Sequence, residues 1–286
     1  MKKLVLIDAS YYIYRSYYGL RRTPETPWET SKGVPTNATF GFLRFILKVL
    51  RDFNPQYMVC CFDTPTSSEG RRKINPEYKN NRQKMPKDLK EQIKYIKDLC
   101  MALGVPTLDK PNLEADDLIG CLNSFFYQYG YTQIISGDKD FYQLLNSKTT
   151  IFNPSSKGKK IIEADYVKEK FGIEAYQFRD FLALVGDKSD NIKNLRGLGP
   201  KTASKLLNKF ESIDNLYLNL DKIEHPKLQE LLSLNKRQVL KNQKIVTIIR
   251  ESKDLNISMQ MIKREKPSKG AYQAILRELE FYSMLY

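Results

Sequence analysis

Three aspartates each follow a short apolar run of the chain. Asp8 follows Leu-Val-Leu-Ile, Asp63 follows Tyr-Met-Val-Cys-Cys-Phe, and Asp138 follows Gln-Ile-Ile-Ser-Gly. Such runs predict buried strands, and the carboxyl ends of parallel strands line the crevice where ligands bind. A single aspartate at a strand end is usually a cap or turn residue, but three on adjacent strands indicate one acidic site.

Six further acidic residues lie in motifs that could reach the same crevice. Glu114, Asp116 and Asp117 open a predicted helix, in which Glu114 and Asp117 share a face at i and i+3. Each motif also has a purely structural interpretation, because acids favour helix N-termini and serve turns. The remaining acids flank a lysine and a turn: Asp140 pairs with Asp138, and Asp187 pairs with Asp190.

Nine carboxylates in one crevice would repel one another unless several took up protons or cations were bound. Ligands made only of carboxylate oxygen suit a hard ion, so the sequence predicts Mg²⁺, with Mn²⁺ as a substitute, rather than zinc. Two such ions would stabilise the attacking and leaving oxygens of a phosphoryl transfer.

The sequence offers few other catalytic groups. The only histidine, His225, lies in a polar helical region far from the acidic motifs, so a histidine-dependent triad is excluded. The chain has no GxSxG motif and no Walker loop. The four cysteines have no CxxC spacing, which indicates buried, reduced thiols. Hydrolysis by metal-activated water is the chemistry that remains.

Positive charge is concentrated in two windows of a chain whose formal net charge is +14. Residues 71–97 hold ten Lys or Arg against three acids, and residues 193–209 hold five and no acid. A lysine-rich composition alone would spread the charge evenly, so the clustering favours a nucleic-acid footprint.

Each basic window contains a candidate binding motif. Residues 197–203 form a glycine turn that opens a helix, where backbone N–H groups can bind phosphate. The first window lies in a polar, proline-broken insertion that we expect to be mobile, with an aromatic residue that could stack on bases. The candidate DNA-binding residues are Arg72, Tyr78, Lys79, Arg82, Gly197, Gly199, Lys201, Thr202 and Lys205.

The elements that must position these residues alternate along the first two-thirds of the chain. Predicted strands at 4–7, 57–62 and 132–135 are interleaved with predicted helices at 38–53, 89–103 and 115–129, which indicates an α/β fold with a mostly parallel sheet. After about residue 175 only helices are predicted. We therefore expect an α/β core over 1–175 with a basic insertion at about 64–88, and a helical portion over 176–286. No apolar run could span a membrane and no signal peptide is evident, so a cytoplasmic protein is expected.

In this order, the motifs resemble those of the 5′-nuclease family, which includes the N-terminal domain of bacterial DNA polymerase I, phage 5′ nucleases and eukaryotic flap endonucleases. The resemblance extends over nearly the whole chain, and its motifs are most specific when they are taken together. Its blocks are LVLIDAS, GVPTNATFGF, VCCFD, PEYKNNR, LEADDLIG, ISGDKDFYQLL, FLALVGDKSDNI and GLGPKTASKLL.

The resemblance implies a PIN-like core, a helical arch formed by the insertion, and a helix–hairpin–helix at about 190–210. It also implies a K⁺ ion at the helix–hairpin–helix, two or more divalent ions, and positioning of the scissile phosphate by Lys79 and Arg82. All nine family acids are present here. One metal group would be Asp8, Asp63, Glu114, Asp116 and Asp117, and the other Asp138, Asp140, Asp187 and Asp190.

The function that we predict is Mg²⁺-dependent hydrolysis of 5′ flaps, 5′ ends and primer RNA in replication and repair, by a monomer. Two alternatives stay open: a DNA-structure-binding protein without catalysis, and a PIN-like ribonuclease. The ending ELEFYSMLY resembles the point where the polymerase version leaves its nuclease domain. The chain is therefore expected to be either a stand-alone nuclease or a fragment of a longer polymerase.

Overall fold

Five parallel strands and one antiparallel edge strand form a single twisted sheet. The computed structural model describes residues 1–20, 23 and 26–285. The strands are β1 Lys2–Asp8, β2 Tyr57–Phe62, β3 Thr107–Asp109, β4 Gly130–Ile135, β5 Thr149–Phe152 and β6 Ile161–Ile162, in the order β3-β2-β1-β4-β5-β6. The chain order reverses between β1 and β4, and ligands of open α/β sheets bind at such a point.

Helices cover both faces of the sheet and continue beyond it. Their bounds are α1 Ala9–Gly19, α2 Asn37–Phe53, α3 Glu69–Ile74, α4 Lys87–Ala102, α5 Ala115–Phe126, α6 Ala164–Phe171, α7 Phe178–Val185, α8 Pro200–Phe210, α9 Ile213–Leu218, α10 Pro226–Leu234, α11 Lys236–Val246 and α12 Lys269–Glu278. The predicted α/β class, the three predicted strands and the helical character after residue 175 are confirmed.

Alternate residues of β1 belong to two apolar cores. Leu4 and Leu6 face α5, and their core continues without interruption into α7, α8 and α11. Val5 and Ile7 face α1, α2, α4 and α12 on the other side. Because all four side chains are fully buried, β1 reads as a continuous apolar run.

Three strands were not predicted. The β3 strand has three residues and β6 has two, which is too short for a periodic signal. The β5 strand begins with two threonines and has only half of its residues fully buried, so it lacks the apolar run by which the other strands were recognised.

The basic insertion has more structure than the sequence suggested. Residues 69–74 form α3, and the Tyr78 ring is 3% exposed. The sequence-based expectation of a mobile, solvated loop rested on its lack of apolar residues. Its contacts are instead mainly polar, and they involve the acidic motifs described below.

The helical portion does not stay separate from the sheet. Helices α7 and α8 stand on either side of the glycine turn that the sequence identified, and the helix–hairpin–helix at about 190–210 stays a prediction. Residues 262–285 return to the nuclease core: the Met58 N–H donates to the Ile262 carbonyl, the Ser268 N–H donates to the Ala102 carbonyl, and α12 packs on α4. Among the residues described, no helix is long and apolar enough to cross a membrane.

Candidate active site

Asp8 stands at the point where the strand order of the sheet reverses. It ends β1 and caps α1, accepting a hydrogen bond from the Tyr11 N–H at 3.0 Å and another from Ser136 Oγ at 2.8 Å. Burial, together with the negative charges of Asp138 and Asp63, raises the pKa of Asp8 to about 7. This carboxyl therefore lies in a site already crowded with negative charge.

Asp63 and Asp116 bring the neighbouring elements to the same place. The Ala115 N–H donates to Asp63 Oδ1 at 2.9 Å, which joins the end of β2 to the start of α5. Asp116, the next residue of α5, lines the same crevice as Asp8 and Asp63. Burial, followed by repulsion from Asp8 and Asp138, raises the pKa of Asp116 well above its ordinary value.

The second predicted group of acids lies beside the first. Asp138 Oδ1 accepts the Asp140 N–H at 2.9 Å, and the Oδ1 of Asp140 is buried without a hydrogen-bond partner. Burial and then the charges of Asp138, Asp190 and Asp187 raise the pKa of Asp140 well above its usual range. Although burial alone would raise the pKa of Asp187, hydrogen bonds from Ser189 and Lys139 lower it. The Lys139 ammonium is 2.9 Å from that carboxylate.

Cationic and phenolic groups of the insertion cover part of this crevice. Lys79 Nζ is 2.8 Å from Glu114 Oε1 and 3.8 Å from Asp190 Oδ2, and Arg82 also pairs with Asp190. The Lys79 backbone adopts a φ of +54° and donates its N–H to the Asp190 carbonyl. In the part of the chain that is described, no three acidic, histidine or cysteine side chains are already grouped around one ion position. The carboxylates are instead engaged by these cations and by hydrogen bonds.

Tyr78 differs from the role that the sequence suggested. It was predicted to stack on nucleobases, but its ring is buried, and its hydroxyl donates to Glu114 Oε2 at 2.9 Å and to Asp190 Oδ2 at 3.1 Å. A residue so enclosed cannot receive a base in this conformation. It links the two acidic groups instead, because Glu114 belongs to one and Asp190 to the other.

Asp117 is the predicted metal ligand that the structure separates from the others. Its carboxylate forms a two-bond pair with Arg71, at 2.6 and 2.7 Å, and also accepts the N–H groups of Glu114 and Ile249. The Arg71 guanidinium donates further to the carbonyls of Ile245 and Thr247. This completely buried carboxylate is therefore saturated by donors that join α3, α5 and the end of α11, which disfavours Asp117 as a metal ligand.

Substitutions should distinguish this pair from the acids in the crevice. Arg71→Met leaves the Asp117 charge buried without its partner, so we expect a loss of about 3–5 kcal/mol in the free energy of unfolding. Asp117→Asn should lower turnover only about tenfold to a hundredfold, as for groups that act through neighbours of a ligand. Chemical denaturation and single-turnover cleavage measure the two effects. Complete inactivity of well-folded Asp117→Asn would restore this residue to the metal set.

Helix α1 contributes residues that sequence reasoning missed. Tyr11, Tyr14, Arg15 and Tyr18 line a crevice of about 670 Å³ together with four of the acids, Lys79 and Arg82. The rings of Tyr14 and Tyr18 stack with 6.4 Å between their centroids. The signal was present, since the residues recur at three- and four-residue spacing directly after Asp8, which is one face of a helix.

The glycine turn between α7 and α8 leads directly into the amino end of α8. Gly197 has a φ of +93°, which favours glycine, whereas a Cβ at Gly199 would meet nothing within 4 Å. Lys201 and Lys205 are exposed on the first turns of α8, and Thr202 is half-buried beside them. Arg72 is exposed on α3 and lines a recess that also reaches Asp63 and Glu114.

Other sequence predictions concern residues outside the crevice. All four cysteines are free and buried, as expected. His225 precedes α10 and lines a cleft with Arg196 and Lys205, apart from the acids that surround Asp8. Neither observation suggests a role in the chemistry of the crevice.

Two protein-family models together match almost the entire chain. The first, "5'-3' exonuclease, N-terminal resolvase-like domain", matches residues 3–172, and the second, "5'-3' exonuclease, C-terminal SAM fold", matches residues 173–270. A 5'-3' exonuclease of Aquifex aeolicus is 37% identical over 286 residues, covering 100% of this chain and 94% of that protein.

A longer relative and a solved structure complete the comparison. The DNA polymerase I of Caldicellulosiruptor bescii is also 37% identical, over 99% of this chain but only 33% of its own length. The crystal structure of the T5 D15 protein with metal ions has a TM-score of 0.71 at 20% identity, covering 96% of this chain and 99% of that one. At that identity the likeness shows a shared fold.

Proposed function

Because the chain belongs to the 5'-3' exonuclease family, we propose that it hydrolyses phosphodiesters near the 5′ ends of branched or 5′-ended duplex DNA and of RNA–DNA primers. We place this activity in the cytoplasm, on replication and repair intermediates, with the chain acting as a monomer. The observation that carries the proposal is the convergence of eight carboxylates at the carboxyl edge of the sheet, beneath the cations of the insertion. The chain spans one third of the polymerase relatives, so no polymerase activity is inferred.

Divalent ions fit the donor set of the crevice. A buried carboxylate oxygen of Asp140 lacks a partner, and burial and mutual repulsion raise the pKa values of Asp8, Asp116, Asp138 and Asp140. Hard cations relieve that repulsion, and Mg²⁺, or Mn²⁺ in its place, prefers carboxylate oxygen. The related T5 D15 protein was crystallised with metal ions. Two ions would be held by Asp8, Asp63, Glu114 and Asp116, and by Asp138, Asp140, Asp187 and Asp190.

Divalent ions held by these carboxylates would supply an activated water and would stabilise the oxygens of the phosphodiester. The chain's own residues do the rest. Lys79 and Arg82 now neutralise Glu114 and Asp190, and they are free to contact a phosphate once those carboxylates have other partners. Tyr14, Arg15 and Tyr18 line the entrance to the crevice, where the nucleotide next to the scissile bond would lie. Catalysis then depends on cations that already border the acids.

The helix–hairpin–helix is proposed to hold the duplex away from the reacting bond. Gly197, Gly199, Lys201, Thr202 and Lys205 present backbone N–H groups and ammonium groups at one helix end. Carbonyl groups of such a turn suit a K⁺ ion that bridges to a phosphate, as the family resemblance implies.

Removing the lysines of this turn should weaken binding without altering sequence preference. For Lys201→Ala with Lys205→Ala, the slope of log K against log salt should fall by about 1.8, because each duplex phosphate contact contributes about 0.9. Fluorescence anisotropy in Ca²⁺ at several salt concentrations measures the slope. An unchanged slope would show that the glycine turn makes no phosphate contact and only connects two helices.

Asp8 should make the metal-free protein less stable as the pH rises. A carboxyl whose folded-state pKa is raised from 3.8 to about 7 contributes stability that is fully present below the lower value and lost as the pH rises through the higher one. Melting in EDTA should therefore show that Asp8→Asn is more stable than the wild type. The difference in the free energy of unfolding should grow between about pH 4 and pH 7 and reach on the order of 1 to 4 kcal/mol. A margin independent of pH would contradict this assignment.

One cleavage assay tests the proposal against its two rivals. End-labelled flap, nicked, single-stranded and RNA-only substrates are incubated side by side with and without Mg²⁺. Mg²⁺-dependent cleavage at the branch supports the nuclease. Binding without cleavage indicates a DNA-structure-binding protein, and cleavage of RNA alone indicates a PIN-like ribonuclease.

A further inference from the structure

A groove of about 700 Å³ lies where α3 approaches the junction of α10 and α11, and the proposed function does not use it. We call it the α11 groove. Its charged lining consists of Lys236, Arg237, Lys241 and Lys244, and no acidic residue lines it. Ile74 of α3 and Leu234 of α10 supply apolar surface at its sides.

The cations of the α11 groove are not engaged with acids. Among residues 1–20, 23 and 26–285, none of the four takes part in an ion pair, and the polar side-chain contact of Lys241 is to Asn75 Oδ1 at 3.4 Å. By contrast, the cations of the insertion that are close to Ile74 in sequence are all paired with buried carboxylates: Arg71, Lys79 and Arg82. The Lys236 ammonium lies over the Tyr217 ring, 5.2 Å from its centroid, which leaves its charge uncompensated by an acid. Four positive charges without ion-pair partners in one groove attract a polyanion.

The exposed aliphatic surface narrows the class of ligand. Leu234 is 77% exposed and Ile74 is 40% exposed. A duplex buries its bases and presents mainly phosphate and sugar to a lysine surface, so it would leave these side chains in water. A single strand has unstacked bases that can cover apolar side chains while its phosphates meet the cations. The combination favours a single strand.

Helix α3 connects this groove to the acidic crevice. Arg72, on α3, lines the recess that reaches Asp63 and Glu114, whereas Ile74 on the same helix lines the α11 groove. Four residues further on, Tyr78 contacts Glu114 and Asp190. The glycine turn contacts α10, since a Cβ at Gly197 would be 3.8 Å from Leu231. A strand that leaves the acids along α3 would therefore reach the groove at Ile74.

We propose that the α11 groove binds the displaced 5′ single strand, DNA or RNA, beyond the nucleotides that occupy the crevice. This proposal rests on the proposed function, because it requires a 5′ strand to leave the acidic site. The groove contacts phosphates and the apolar faces of bases. Every nucleotide offers both, so the groove has no sequence preference. It makes the enzyme sensitive to flap length: a long 5′ flap gains contacts that a nick with no flap cannot make.

The test compares two triple variants on two substrates. Lys236→Ala/Arg237→Ala/Lys244→Ala removes three exposed charges of the groove. Lys263→Ala/Lys266→Ala/Lys269→Ala is the matched control, since these three lysines are exposed and lie in a segment that borders the amino ends of the strands, opposite the acids. The substrates are a nicked duplex without a flap and the same duplex with a 20-nucleotide oligo-dT flap. Dissociation constants are measured in Ca²⁺ at several salt concentrations, and turnover is measured in Mg²⁺.

The groove variant should bind the long flap roughly tenfold more weakly, and its salt slope for that substrate should fall by about 2, at about 0.7 for each single-strand phosphate contact. Its binding and turnover on the nick, and both properties of the control variant, should match the wild type. Equal losses on nick and flap would overturn the proposal in favour of a duplex surface, and no loss on either would overturn it outright. A wild type that cleaves neither substrate would refute the proposed function, while the binding comparison would still decide the groove.

Discussion

Asp138→Asn is expected to abolish cleavage while leaving the fold and DNA binding in Ca²⁺ intact. Its carboxylate lies between the two acidic groups, and its pKa is raised by burial and by the charge of Asp190. Metal ions contribute several kcal/mol to charge stabilisation in the transition state, so the loss of a ligand should lower turnover by about a thousandfold or more. Rapid-quench cleavage of a labelled flap substrate measures the effect, and Asp63→Asn should behave in the same way.

The matched control for this prediction is Asp165→Asn, which removes an exposed carboxylate from the first turn of α6. It should cleave at the wild-type rate. Melting temperatures in EDTA provide a second readout, because the loss of one negative charge from the crowded crevice should not lower stability. Wild-type turnover in Asp138→Asn would refute the metal assignment, whereas a lower melting temperature would show that the carboxylate holds the fold.

Lys79→Ala and Arg82→Ala should each slow cleavage at least about a hundredfold while changing duplex affinity only a few-fold. A preorganised cation aimed at the charge that develops on a transferring phosphoryl group contributes on this scale, and neither residue belongs to the glycine turn that is proposed to hold the duplex. Lys79 is the more sensitive position because its removal also leaves Glu114 without its 2.8 Å partner. Single-turnover rates and Ca²⁺ binding constants on the same flap substrate separate the two properties.

Lys73→Ala provides the control for these variants, since Lys73 is exposed on the same insertion and forms no ion pair in the described part of the chain. Equal losses in rate and in affinity for Lys79→Ala would show that this cation holds DNA without acting on the reacting phosphate. Partial recovery of the rate in Arg82→Lys, with unchanged affinity, would support a role for charge at that position.

The sequence was sufficient to predict the acidic crevice because parallel strands impose a simple rule. Asp8, Asp63 and Asp138 each end an apolar run, and the runs pair as neighbours in the sheet. Burial on both faces leaves the carboxyl edge as the place where their polar ends meet. No knowledge of long-range contacts was needed for that inference.

Long-range contacts explain what was missed. The i, i+3 spacing of Glu114 and Asp117 predicted a shared face, but Asp117 turns back to the Glu114 N–H in a capping box and meets Arg71 from 46 residues earlier. The same limit applies to Tyr78, whose burial depends on Asp190, 112 residues later in the chain. Local spacing specifies the side of a helix, and it does not specify which distant partner will occupy that side.

The return of residues 262–285 to the nuclease core affects how the chain can fold during synthesis. Leu276, Leu279 and Phe281 complete the apolar core formed by Val5 and Ile7, so β1 cannot be fully packed until α12 has been made. Contacts of such long sequence separation slow folding and leave apolar surface exposed on the nascent chain. The acidic residues at the ends of β1 and β2 and after β4 are therefore made well before the apolar layer on that face of the sheet is closed.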